Sequence, residues 1–131
     1  MQELKDTIDK IGELAEIIDK MNGTQCSGSW EWREILTASD SKYQVLESWD
    51  RDGLKTPMPY HKHEESLEII IVVDGGIAIT LKENGIESIN CVEEESVFVI
   101  PVGIDHYSYP EPGTRCIVVL IPAEKAYRSN S

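Results

Sequence analysis

All three histidines of this 131-residue chain fall in two short segments. The first reads His61-Lys62-His63-Glu64-Glu65-Ser66-Leu67-Glu68, and the second Pro101-Val102-Gly103-Ile104-Asp105-His106. Neutral imidazole suits Zn, Cu, Fe and Ni, and such sites readily add one carboxylate. His61 and His63 are two apart, so on a strand both point to one face. A turn through Glu64, Glu65 and Ser66 then starts a second strand near Leu67, from which Glu68 can project into the same space. His106 arrives from a later strand. Three imidazoles and one carboxylate can hold one divalent ion and leave one or two positions open. Taken singly, each histidine would more often be a hydrogen-bonded or surface residue; their joint placement carries the reading.

The elements that must position these residues read mostly as strands. Candidates are Trp30–Leu36, Tyr43–Trp49, Met58–His63, Leu67–Val73, Ile77–Lys82, Glu87–Val92, Val97–Ile100, His106–Tyr109 and Arg115–Ile121. Asp74-Gly75-Gly76 and Asn84-Gly85 suit tight hairpins, and Pro101-Val102-Gly103 suits a type I turn. Many short strands with turn signals between them predict an antiparallel sandwich or barrel. Ahead of them, Leu4, Ile8, Ile11, Ala15 and Ile18 form one apolar stripe at helical spacing, flanked by Leu14 and Met21, with Asn22-Gly23 as a stop. The expected organisation is therefore an amphipathic helix over 1–23, a polar linker over 24–29 and a barrel over 30–131.

Ile69–Val73 and Cys116–Ile121 are apolar at both parities. A wall facing water should alternate, so both faces of these strands should be covered. The helix stripe and a second copy of the chain would do this together, which predicts a homodimer.

Composition narrows the partners. With 24 acidic and 12 basic side chains the formal charge is −12, which disfavours phosphate backbones and anionic membrane surfaces. No apolar run approaches the roughly 20 residues that cross a bilayer, and residues 1–9 lack a signal-peptide stretch. Cys26, Cys91 and Cys116 form no C-x-x-C pair, which fits reduced thiols in a cytoplasmic protein; Cys91 and Cys116 read as small core residues. Trp30, Trp32 and Trp49 read as core or interface aromatics.

The two histidine segments resemble the paired motifs of the cupin superfamily. His61, His63, Glu68 and Gly75 match the first motif in its longer form, and Pro101, Gly103 and His106 match the second. The resemblance covers about residues 40–122. It departs at Gly53, two residues further from the first histidine than usual, and at Glu95 and Pro110, which stand where a glycine and an asparagine are expected. All three are turn or strand-end positions and not ligands. The resemblance implies an all-β, antiparallel double-stranded β-helix (jelly-roll) barrel, here with one N-terminal α-helix. It also implies one divalent transition metal (Fe, Mn, Zn or Ni) on His61, His63, Glu68 and His106.

Strand parity suggests the rest of a substrate site. Ile70 and Val72 share Glu68's parity and would line an apolar cavity, and Ser108 shares that of His106. Arg115 could anchor a carboxylate or form an exposed ion pair. Tyr107, Tyr109 and Asp105 should face away. Three functions stay open: a metal-dependent oxidoreductase (dioxygenase-type) or isomerase acting on a small molecule, a non-catalytic small-molecule binding or sensing module, and a barrel stapled by its metal.

Overall fold

The structure, a computed structural model, describes residues 2–3, 5–7, 9–10, 25–27, 30–50 and 61–125. Nine strands are described: β1 (Gln25–Ser27), β2 (Trp30–Thr37), β3 (Gln44–Asp50), β4 (Leu67–Asp74), β5 (Gly76–Glu83), β6 (Ile86–Glu93), β7 (Val97–Ile100), β8 (Asp105–Pro110) and β9 (Arg115–Ile121). They form a six-stranded sheet in the order β1-β2-β3-β9-β4-β7 and a three-stranded sheet in the order β6-β5-β8. Every named pairing is antiparallel. The fold is the expected all-β jelly roll.

The two strands that are apolar at both parities, β4 and β9, are neighbours inside the larger sheet. One side of that sheet carries Ile70, Val72, Ile100 and Cys116, which pack against Ile77, Ile79 and Val92 of the smaller sheet. The other side carries a second cluster, in which buried Val73 and Ile117 pack with Ile35, Val45 and Ile71. Burying such strands on both faces is what their composition demands. The described N-terminal residues are helical. From them, Lys5 Nζ lies 3.4 Å from Glu95 Oε1 and Asp9 pairs with Arg115 at the start of β9. The apolar stripe of that helix, Leu4 through Met21, lies outside the described residues.

Three local expectations are corrected. Gln25–Ser27, within the segment read as a linker, is a strand paired with β2. Asp74-Gly75-Gly76 does not close a hairpin, because β4 and β5 belong to different sheets; the chain crosses between layers there. Cys91 is exposed: it shares a strand with buried Val92 but points to the opposite side. The Asn84-Gly85 hairpin is as read, with φ positive at both residues (53° and 76°), as a two-residue type I′ turn requires.

Candidate metal centre

Backbone pairing brings the two histidine segments together. His61 N donates to His106 O and His106 N to His61 O, each at 2.9 Å, an isolated antiparallel bridge. Gly103 N donates to His63 O at 2.8 Å. Met58–Tyr60 of the expected strand lie outside the described residues, and residues 62–63 have no strand pairing. The histidines therefore converge through this bridge and not through strand parity. Glu68 sits near the start of β4 between Ile100 of β7 and Leu120 of β9, with its side chain on the inner face. His106 sits on β8 opposite Leu81 of β5. The site thus joins the two sheets at one end of the barrel.

One potential ligand atom from each of His61, His63, Glu68 and His106 lies within 4.8 Å of all the others. The His61 and His106 rings are 4.2 Å apart at their centroids, and the His61 and His63 rings 5.3 Å. His63 Nε2 lies 2.7 Å from Glu68 Oε1, and His106 Nε2 lies 3.5 Å from the same oxygen. The opposite nitrogen of His106, Nδ1, is 2.9 Å from Ile104 O, which orients Nε2 inward. That Nε2 is buried, and Glu68 Oε1 at 3.5 Å stands beyond the ordinary hydrogen-bond distance from it. A buried polar atom placed this way needs an explanation. A cation among three imidazoles and a carboxylate supplies one, so the residues fit a divalent metal.

The electrostatics agree. Burial alone would raise the Glu68 pKa, but the adjoining imidazoles of His106 and His63 outweigh it and hold the carboxyl at about 2. Glu68 is thus an anion ready to ligate. Burial alone would lower His63; Glu68 and Glu124 outweigh it and raise its pKa.

Beside the centre lies a cavity of about 70 Å³, lined by Trp32, Leu46, Ser48, Ile70, Ile77, Ser108, Cys116, Val118 and Leu120 along with His61, His63 and Glu68. One water needs roughly 10–15 Å³ on this measure, so the space admits a small organic molecule. Ile70 and Ser108 are where strand parity put them. Val72 is not: it is fully buried in the core and does not reach the cavity. Arg115 is not either. It opens β9 inside the large sheet but does not line the cavity, being bonded to Asp9, with Nε 3.6 Å from Glu47 Oε2 and 3.8 Å from Asp74 Oδ2. Tyr109 is exposed and away from the centre, as expected. Sequence reading missed Trp32, Leu46 and Ser48, whose strands lie remote from both motifs. It also missed Glu124, whose Oε1 is 2.8 Å from His63 Nδ1. Only the β2-β3-β9-β4 order brings the wall residues to the site, and nothing local to Glu124 signals its contact.

No protein-family model matches the chain, and no curated protein matches it. Solved structures do. KdgF from Halomonas sp. is 16% identical with a TM-score of 0.67, over 79% of this chain and 90% of that one. An RmlC-like cupin from Shewanella frigidimarina is 16% identical with a TM-score of 0.65, over 79% and 85%. Oxalate decarboxylase from Bacillus subtilis, which has Mn(II) centres, is 18% identical with a TM-score of 0.67, over 82% of this chain and 29% of that larger one. At these identities the likeness establishes the fold alone: the chain has the cupin fold.

Proposed function

We propose that this cupin-fold chain holds one divalent transition metal (Fe, Mn, Zn or Ni) on His61, His63, Glu68 and His106, and acts as an enzyme on a small molecule bound in the adjacent cavity. The observation that carries this reading is the cluster of four ligand atoms beside that cavity, with His106 Nε2 buried and aimed at Glu68 across 3.5 Å. A bound ion would supply Lewis acidity and a place for O2 or substrate to coordinate. The protein's own residues do the rest. Trp32, Leu46, Ile70, Ile77, Val118 and Leu120 exclude water and favour an apolar body. Ser48 and Ser108 can orient a polar group on it. Such a site suits oxidoreductase chemistry of the dioxygenase type, or isomerisation, on a compound with a metal-binding head and an apolar remainder.

The alternative is a binding or sensing module without turnover. One observation favours it: among the described residues, the lining beyond the proposed ligands carries no acid–base pair, its polar side chains being Trp32, Ser48, Ser108 and Cys116, whose thiol burial pushes up to about 12. Loading the protein with each of the four metals and following O2 uptake and product formation with small acids and thiols separates the two. Turnover with any metal supports the enzyme. Metal-dependent quenching of tryptophan fluorescence by those compounds, without turnover, supports the module.

The reading includes a cytoplasmic homodimer. Cys91 and Cys116 are unpaired, in keeping with a reducing compartment. The outer face of the large sheet carries an apolar row, Val99-Ile69-Val119-Val45-Leu36, running across five strands in register. Its end residues Val99 and Leu36 are 46% and 43% exposed, and neighbouring Val97 is 55% exposed. A second copy would cover it, and a monomer in sedimentation at micromolar concentration would contradict the dimer. No described helix is long and apolar enough to cross a membrane.

A further inference from the structure

We infer that Glu124 is a positioning residue for the metal site, clamping His63 so that Nε2 is the nitrogen presented to the ion. The inference rests on His63 being a metal ligand. Glu124 lies beyond β9 and outside both histidine segments. Its Oε1 is 2.8 Å from His63 Nδ1, while His63 Nε2 faces Glu68 at 2.7 Å. With Nδ1–H donated to Glu124, the Nε2 lone pair is the one left for a cation. His106 is arranged the same way, with the carbonyl of Ile104 in the role of Glu124.

Glu124 is not a loosely placed surface carboxylate. The strap that carries it is tied down at three successive residues. Ser66 Oγ donates to Pro122 O at 2.8 Å, Ala123 N to Ser41 O at 3.0 Å, and Glu124 N to Gln44 Oε1 at 3.3 Å. Gln44 is itself fully buried and also donates to Glu34 through Nε2 at 3.3 Å. The chain beyond β9 is thus fastened across the metal end of the barrel, with the Glu124 side chain only 23% exposed. A carboxylate held this firmly fixes the ring plane and tautomer of the histidine and increases its basicity as a ligand. Partners of this kind typically contribute 10- to 100-fold to metal affinity.

The test compares wild type, Glu124→Gln, Glu124→Ala and, as a control, Glu64→Ala, an exposed carboxylate 3.6 Å from Lys62 Nζ. Each metal-free protein is titrated calorimetrically with Mn(II), Zn(II) and Co(II), and the visible spectrum of the Co(II) form is recorded. The expected result is a 10- to 100-fold weaker Kd for Glu124→Ala, with an altered Co(II) spectrum. Glu124→Gln, whose amide oxygen can still accept from Nδ1–H, should fall between, and Glu64→Ala should match wild type. Thermal unfolding of the metal-free proteins shows whether each variant folds, and near-isosteric Gln keeps the comparison available if Ala does not. Wild-type affinity in both Glu124 variants overturns the inference and leaves the metal reading intact. Wild type binding no ion overturns the metal reading, and the inference with it.

Discussion

His61 and His106 exchange both backbone hydrogen bonds, each 2.9 Å long, and their rings lie 4.2 Å apart. Two segments remote in sequence are thereby locked in one register. With Gly103 N donating to His63 O, the backbone places both histidines of the first segment against the turn that leads to the third. The site is preorganised by main-chain pairing, which holds ligand geometry more tightly than loops do.

Under the proposed metal reading, removing His61 and His106 removes the ion. The double variant His61→Ala/His106→Ala should purify with less than a tenth of the wild-type metal content by elemental analysis. Glu68→Gln, which keeps the shape and loses the charge, should weaken affinity at least tenfold. Full occupancy in the double variant would place the ion elsewhere.

The two motif glycines should fail differently. Gly75 has φ +85°, and a Cβ there would meet Thr114 Oγ1 at 2.6 Å and Thr114 Cα at 2.9 Å. Thr114 is fully buried and bonded to Gly76 and Glu111, so it cannot retreat. Gly75→Ala should cost more than about 2 kcal/mol, from backbone strain and overpacking together. Gly103 has φ +75° with open space around its Cβ position, so Gly103→Ala should cost only the left-handed conformation, about 1–2 kcal/mol. Urea denaturation of the two variants gives the comparison, and equal losses would contradict it.

Stability should fall at high pH through Cys116. Burial, helped by the charge of Glu68, raises its pKa from 9.0 to about 12. The folded state then keeps a proton that the unfolded chain releases, so this contribution is complete below pH 9. It is lost as pH rises toward 12, at up to about 1.4 kcal/mol per pH unit. Cys116→Ser should flatten the curve between pH 9 and 11 relative to wild type. An unchanged slope would show that other groups account for the loss.

Thiol reactivity should separate the two described cysteines. In a Cys26→Ser background, the native protein should react with one equivalent of a disulfide reagent, at exposed Cys91. Buried, neutral Cys116 should react only after denaturation. Rapid labelling of Cys116 in the native state would show that the cavity opens.

Local chemistry determined much of this. The spacing of His61, His63, Glu68 and His106 carries the candidate ligand set, and strand periodicity carries most element positions, because both depend on neighbours a few residues away. Even a departure from the motif is intelligible. Glu95, where a glycine is expected, holds φ +67°, so the turn keeps the left-handed geometry that glycine usually serves, with Lys5 3.4 Å from its carboxylate.

Other features depended on the order of strands across a sheet, which no local pattern encodes. Parity correctly sends Ile70 and Ser108 inward, yet it cannot say how far along the barrel the cavity extends, so Val72 falls in solid core. Nor can it say which face of the sheet Arg115 meets. Trp32 and Ser48 reach the cavity because β3 pairs with β9 and β2 with β3, and Glu124 reaches His63 because the strap beyond β9 folds back across the same end. The candidate ligand group is a matter of residue type and spacing and was legible in the chain. The wall of the cavity and the carboxylate behind His63 were decided by tertiary structure, because they are made by contacts between segments that carry no mark of one another.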